Sequence, residues 1–411
     1  MQERAERGPP PAARVATGSP RGGFVLFRYG FRPFFLLAGL WAVVPMLILF
    51  GSLTAGGWPA GALPLYRWHA HELIFGYAAA AIAGFLLTAV PSWTGARPVS
   101  GAGLMALVAL WAADRVIVSP LIAVPVAAAL PLGVAFFPAL AGALAVPLLR
   151  AGTLRNIPFL LFLSLLFAAD LLFHAQYHGL IGAVPFDALR LALNVVLLLV
   201  VIVGGRIIPA FSHNALRQAG RPAQTAAPPW LNGLAIGTVA AILIIDLVAQ
   251  DSALSGVLAA LGALLLLARL SHWQGYRTLD MPLVWVLHLG YGWLVVGLML
   301  KAVWLLLASH WAVNWVHALN VGAFGTMILG VMTRAALGHT GRALVPAKVI
   351  ALAYALVSIA ALARVWGPLA VPAYARQITL CALGIWVAAY AIYLFVYCPI
   401  LLRPRLDGKP G

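Results

Sequence analysis

Residues 68–90, WHAHELIFGYAAAAIAGFLLTAV, open with two histidines and a glutamate, and then run without a charge to Arg97. About 20 mainly apolar residues make a helix long enough to cross the hydrocarbon of a bilayer. The stretch therefore predicts a transmembrane helix with ionisable groups at its mouth. At 100° per residue, His69 and His71 point about 200° apart, so one regular helix cannot direct both at the same ion. His69 and Glu72 share a face in this reading, and His71 turns to another neighbour.

Outward from this stretch, breaks at Pro, Gly and Arg clusters give about twelve such runs: 31–52, 69–90, 102–119, 126–149, 156–178, 186–210, 229–248, 252–270, 281–306, 312–336, 345–365 and 372–402. The third and fourth are interrupted by Pro120, Pro125, Pro131 and Pro138. The chain has 411 residues, of which 63% are hydrophobic and 9% charged. Soluble domains carry about 25% charged residues, so an ordinary soluble enzyme and a disordered chain are excluded. Cys381 and Cys398 are the only cysteines, which leaves no disulfide framework or CxxC metal site. No phosphate-binding loop, serine elbow, HExxH or dinucleotide fingerprint occurs.

The net charge of +16 reflects 26 Lys and Arg against 10 Asp and Glu. With the N-terminus inside, twenty of the 26 fall on the inner side and six on the outer. Cytoplasmic loops are enriched in Lys and Arg, so both termini are expected in the cytoplasm and no nucleic acid is needed to explain the charge. The expected layout is a disordered basic tail at 1–27, one twelve-helix membrane domain at 28–403 and a short tail at 404–411.

A shift of 246 lays residues 71–95 on 317–341, matching His71 with His317, Gly76 with Gly322, Gly84 with Gly330 and Thr94 with Thr340. A shift of 126 lays 193–213 on 319–339, matching Asn194, Gly204 and His213 with Asn320, Gly330 and His339. The second, sixth and tenth spans are thus alike. The implied unit is four helices repeated three times.

Ionisable groups inside a bilayer are expensive and point to function by default. His69, His71, Glu72, Asp170, His174, His178 and His317 fall near the outer ends of their spans. Small-residue stripes run below His71 (Gly76, Ala80, Gly84) and below His317 (Gly322, Gly325). Histidines on facing helices above such slots suit the two axial nitrogens of a b-type haem, with interfacial histidines and plain helix packing as the bland alternative. Asp170 and His174, at i and i+4, suit a carboxylate-oriented metal ligand or a proton relay. On the inner side, His288 is expected at a second metal centre, with His339 or His69. Arg206 and Arg334 are candidates to pair with haem propionates.

Six separated motifs carry a resemblance. They are Gly30-Phe31-Arg32-Pro33-Phe34-Phe35, Trp68 to Glu72, Gly84 to Pro91, Gly205-Arg206-Ile207-Ile208-Pro209, His288-Leu289-Gly290-Tyr291 and Met332 to Arg342. Over residues 28–400 the chain resembles the NnrS family. The resemblance implies a multi-pass protein of the bacterial inner membrane that binds haem and copper and serves the nitric-oxide response around denitrification and nitrosative stress. Nitric oxide is then the expected ligand, and quinol from the bilayer a possible electron donor. A non-redox transporter of a metal, a metal complex or a small anion is the alternative. The motif-borne histidines are His69, His71, His288, His317 and His339, and His174 joins them as a metal candidate from its own spacing.

Overall fold

The computed structural model describes residues 25–59, 63–122, 124–152, 156–182 and 186–409. It is an all-α bundle of twelve helical segments. In chain order these are α1 (Phe31–Ala55), α2 (Leu65–Thr94), α3 (Ala102–Ile117), α4 (Val126–Arg150), α5 (Pro158–Tyr177), α6 (Ala188–Gln218), α7 (Pro229–Val248), α8 (Ala253–His272), α9 (Pro282–Leu307), α10 (His310–His339), α11 (Lys348–Ala370) and α12 (Pro372–Leu402). Eleven are long and apolar enough to cross a membrane. The exception, α3, has 16 residues, about 24 Å at 1.5 Å per residue. The prolines that disturb the third and fourth runs leave their mark in α4, which breaks between Gly133 and Phe136.

Helices α2 and α6 lie at the centre. Buried residues make up 83% and 78% of their apolar windows, against 39% for α1, α7, α8 and α11. Helices α2, α6 and α10, the three related by the sequence repeat, touch one another pairwise. The repeat also has a local structural counterpart. A π-helical segment follows His71 (Glu72–Ala78), and another follows His317 (Ala318–Gly325). The two segments start at positions matched by the 246-residue shift. The sixth span, α6, stays α-helical through the corresponding stretch.

The glycine stripes serve packing and leave no flat slot. A Cβ on Gly76 would stand 2.3 Å from the Trp41 ring, one on Gly84 2.7 Å from Phe35, and one on Gly322 2.4 Å from Trp293. Small residues let large neighbours come in close, which corrects the expectation that the stripes seat a macrocycle.

The first and last helices are stitched together. Arg32 Nη1 donates to the carbonyls of Leu401 (2.7 Å) and Arg403 (2.8 Å), and Trp386 Nε1 donates to Ala42 O (2.7 Å). Of the tail expected at 1–27, residues 1–24 lie outside the described residues. Val25–Phe27 forms a 3-10 turn whose Phe27 carbonyl accepts from Gly101 N at 2.8 Å. The segment after α12 is also held, by Leu406 N to Thr340 O (3.2 Å) and Arg405 Nη1 to His339 O (2.9 Å).

Candidate functional site

Two polar sites sit at the same end of the bundle, on opposite faces of α2. The first is a partly open cavity of about 710 Å³ bordered by α1, α2, α6, α10, α11 and α12. Ligand pockets usually hold about 300–1,000 Å³. Its walls are mainly apolar, with Met46, Leu49, Ile74, Leu193 and Trp386 among them, and His69 and His317 both line it. His69 Nδ1 is buried without a hydrogen-bond partner. Arg67, Arg190 and Arg364 bring positive charge to the same walls. Arg67 is 3.8 Å from Asp187, and Arg190 is 3.1 Å from Asp251.

The cavity pairs His317 with His69, whereas the sequence paired it with His71. Residues 66, 69, 70, 73 and 74 of α2 meet the cavity with the i, i+3, i+4 spacing of a helix stripe, joined at the start of the helix by Leu65 and Arg67. Trp68, His71, Glu72 and Phe75 form the opposite, buried face. His69 and Glu72 are only about 60° apart on a helical wheel, but the boundary between the two faces runs between them.

The second site lies on that other face, between α2, α3 and α5. His71 is fully buried against Phe173 and Phe75, with ring centroids 4.5 and 4.9 Å away. Its Nδ1 is 3.1 Å from Glu72 Oε1. Its Nε2 faces Asp170 Oδ1 at 3.5 Å and Asp114 Oδ2 at 3.9 Å. His174 Nε2 is 2.9 Å from Asp114 Oδ1 and 3.8 Å from Asp170 Oδ1. Arg115 pairs with Asp114 and stands 3.7 Å from Glu72 Oε2, which also accepts from Trp41 Nε1. One ligand atom each from His71, Asp114, Asp170 and His174 fall within 4.8 Å of one another. Among the described residues this is the one such group of three or more that could hold a metal ion.

The remaining candidates lie elsewhere. His288 is a hydrogen-bonded interior residue. Its Nδ1 is 3.1 Å from Val284 O, and its Nε2 is 3.3 Å from Ser212 Oγ and 3.4 Å from Trp273 O. The structure places neither His339 nor His69 with it. His339 packs against Phe31 at 5.5 Å and borders a smaller cavity of about 290 Å³ together with Arg334. Arg334 lies over the Phe211 ring at 4.0 Å. It is seventeen residues along the helix from His317, about 25 Å, so it does not reach the larger cavity. Arg206 donates to Asn156 Oδ1 at 3.3 Å and lies over Phe159.

Sequence reasoning does not place Asp114, Arg115 or Arg364 at a site. The available signal was the adjacency of two opposite charges inside an apolar run. What was missing was the partner helix.

No curated protein matches the chain. A family model described as NnrS protein matches residues 25–405. This span takes in every helix and both polar sites, and on that match the chain belongs to the NnrS family.

Proposed function

We propose that the chain is a haem protein of the bacterial inner membrane that acts in the nitric-oxide response, with a b-type haem held in the cavity between α2 and α10. The observation that carries this reading is the placement of His69 and His317 on one apolar cavity, each from a different central helix. The donor set fits the group. Two imidazoles supply axial nitrogens, the apolar walls suit the macrocycle, and arginine is the favoured partner of carboxylates such as propionates. A haem bound there would supply nitric-oxide binding or electron transfer.

The chain's own residues do the rest. His69 and His317 would hold the iron from α2 and α10. Arg67, Arg190 and Arg364 set the orientation by drawing acidic edges toward their end of the cavity. Leu49, Leu193 and Trp386 exclude water and favour a small, weakly polar ligand arriving from the lipid. Quinol from the same lipid is the electron donor this reading allows. The copper that the resemblance implies is not needed for it, and the transporter alternative gains no specific support.

Purified protein and the variants His69→Ala, His317→Ala and His71→Ala test the assignment through haem content and optical spectra, with and without nitric oxide. Haem is expected to fall in the first two variants and to persist in the third. Unchanged haem in both His69→Ala and His317→Ala overturns it.

A further inference from the structure

The structure assigns a second, separate site: we propose that His71, His174, Asp114 and Asp170 bind a divalent first-row transition-metal ion in the buried space between α2, α3 and α5. The argument starts from one contact. His71 Nδ1 stands 3.1 Å from the Glu72 carboxylate, and a proton on Nδ1 satisfies that contact. The lone pair on Nε2 then faces Asp170 Oδ1, 3.5 Å away. Both atoms are buried without a hydrogen-bond partner. With the other tautomer, the lone pair on Nδ1 faces Glu72 instead. In either form a neutral imidazole leaves two acceptors opposed with nothing between them, in a place water does not reach. A cation resolves this.

The charges agree. Three carboxylates, Glu72, Asp114 and Asp170, surround one guanidinium, Arg115. Ionised, they leave two negative charges uncompensated, and charges taken out of water persist only when paired. One divalent ion closes that balance.

The spacing agrees as well. At metal–ligand bonds of about 2.0–2.1 Å, the ligand atoms of a tetrahedral site stand about 3.3–3.4 Å apart. Asp170 Oδ1 is 3.5 and 3.8 Å from the two Nε2 atoms, Asp114 meets His174 with Oδ1 at 2.9 Å and His71 with Oδ2 at 3.9 Å, and one ligand atom from each residue falls within 4.8 Å of the others, so side-chain movement of about 1 Å closes the set onto one ion. The Glu72 carboxylate behind His71 is the outer-shell partner that metal-bound histidines usually have. Two imidazoles with two carboxylates select Zn²⁺, Fe²⁺ or Cu²⁺ over Mg²⁺ and Ca²⁺, which prefer oxygen alone. No sulfur ligand is present to favour Cu⁺. Gly133 closes the site from the α4 side, where a Cβ would stand 2.7 Å from His174 Cε1.

The site does not depend on the haem reading, because His69 and His317 contribute nothing to it. Full-length protein is purified in detergent and its metals counted by mass spectrometry, with haem iron measured separately. About one further divalent ion per chain is expected, lost in Asp170→Asn and His174→Ala and retained in His69→Ala. Cobalt is the independent probe. Stripped wild-type protein should take up about one Co²⁺ and show the visible bands of a nitrogen- and oxygen-bound ion, displaced by Zn²⁺. This arm holds even if a variant fails to fold. A monodisperse wild-type protein with no further ion and no Co²⁺ uptake overturns the proposal in favour of a protonated cluster. So does an ion that persists undiminished in both variants.

Discussion

Lys301 Nζ lies 2.5 Å from Asp246 Oδ2, joining α9 to α7 with both side chains almost wholly buried. Asn194 Nδ2 and Ser255 Oγ donate to the same carboxylate at 2.8 and 2.6 Å. Lys301 also lies 5.1 Å from the centre of the Trp315 ring. The Asp246 carboxylate thus meets donors from three other helices, α6, α8 and α9, which marks a structural joint between helices.

Lys301→Met should therefore lower stability by about 3–5 kcal/mol, the usual cost of stranding one buried charge. Adding Asp246→Asn should recover most of that loss, because the amide needs no counter-charge. Thermal unfolding in detergent measures both. Equal destabilisation in the single and double variants contradicts the coupling.

Gly205 sits under the Arg269 guanidinium, and a Cβ there would stand 1.7 Å from Nη2. Arg269 cannot swing clear without losing its bonds to Asn232 Oδ1 (2.9 Å) and Tyr291 OH (2.8 Å). Gly205→Ala should cost about 1–3 kcal/mol, the range for overpacked interiors. Gly204→Ala should be milder, since its nearest contact is 3.3 Å away at Met327. A reversal of that order in thermal unfolding would show that Arg269 is free to move.

Arg221 and Asp280 form a two-pronged pair at the surface, with bonds of 2.8 and 2.7 Å. The Arg221 guanidinium holds the Asp280 carboxyl below its ordinary value. A carboxylate whose value is depressed by folding contributes stability above its unfolded value and loses it as pH falls through the folded one. Asp280→Asn should therefore match wild type in acid below the folded value. It should be slightly less stable from about pH 5 upward, given an unfolded value near 4. Melting temperatures taken across pH 3–7 test this, and a gap that widens toward acid contradicts the sign.

If both His69 and His317 are axial, nitric oxide must wait for one imidazole to leave. His69→Gly protein that retains haem should then bind nitric oxide faster than wild type in stopped-flow mixing, and added imidazole should slow it again. A rate that is unchanged and insensitive to imidazole places His69 outside the coordination sphere.

The bundle was legible in the sequence because lipid imposes one rule everywhere: about twenty apolar residues per crossing. Helices α2 and α10 could be matched by eye, since His71, Gly76 and Gly84 recur 246 residues later. The partnering of side chains was less legible. His71 and His317 correspond in the repeat, yet correspondence sets the place along a helix and not the direction faced. His71 looks toward α5, while His69, two residues away, looks toward His317. No sequence period links Glu72, Asp114 and Asp170, because they come from helices whose mutual rotation is decided by packing. The glycines misled for the same reason. Gly76 and Gly322 leave room, but Trp41 and Trp293 fill it.

The clasp between Arg32 and the carbonyls of Leu401 and Arg403 constrains biogenesis. The guanidinium enters the bilayer boundary with α1, whereas these two acceptors lie 369 and 371 residues further along the chain and emerge only with α12. Until α12 is made, these two hydrogen bonds are unmade and the seam between α1 and α12 stays open. A nascent chain that stalls before α12 therefore lacks the bonds that join Arg32 and Ala42 to that helix and the turn after it.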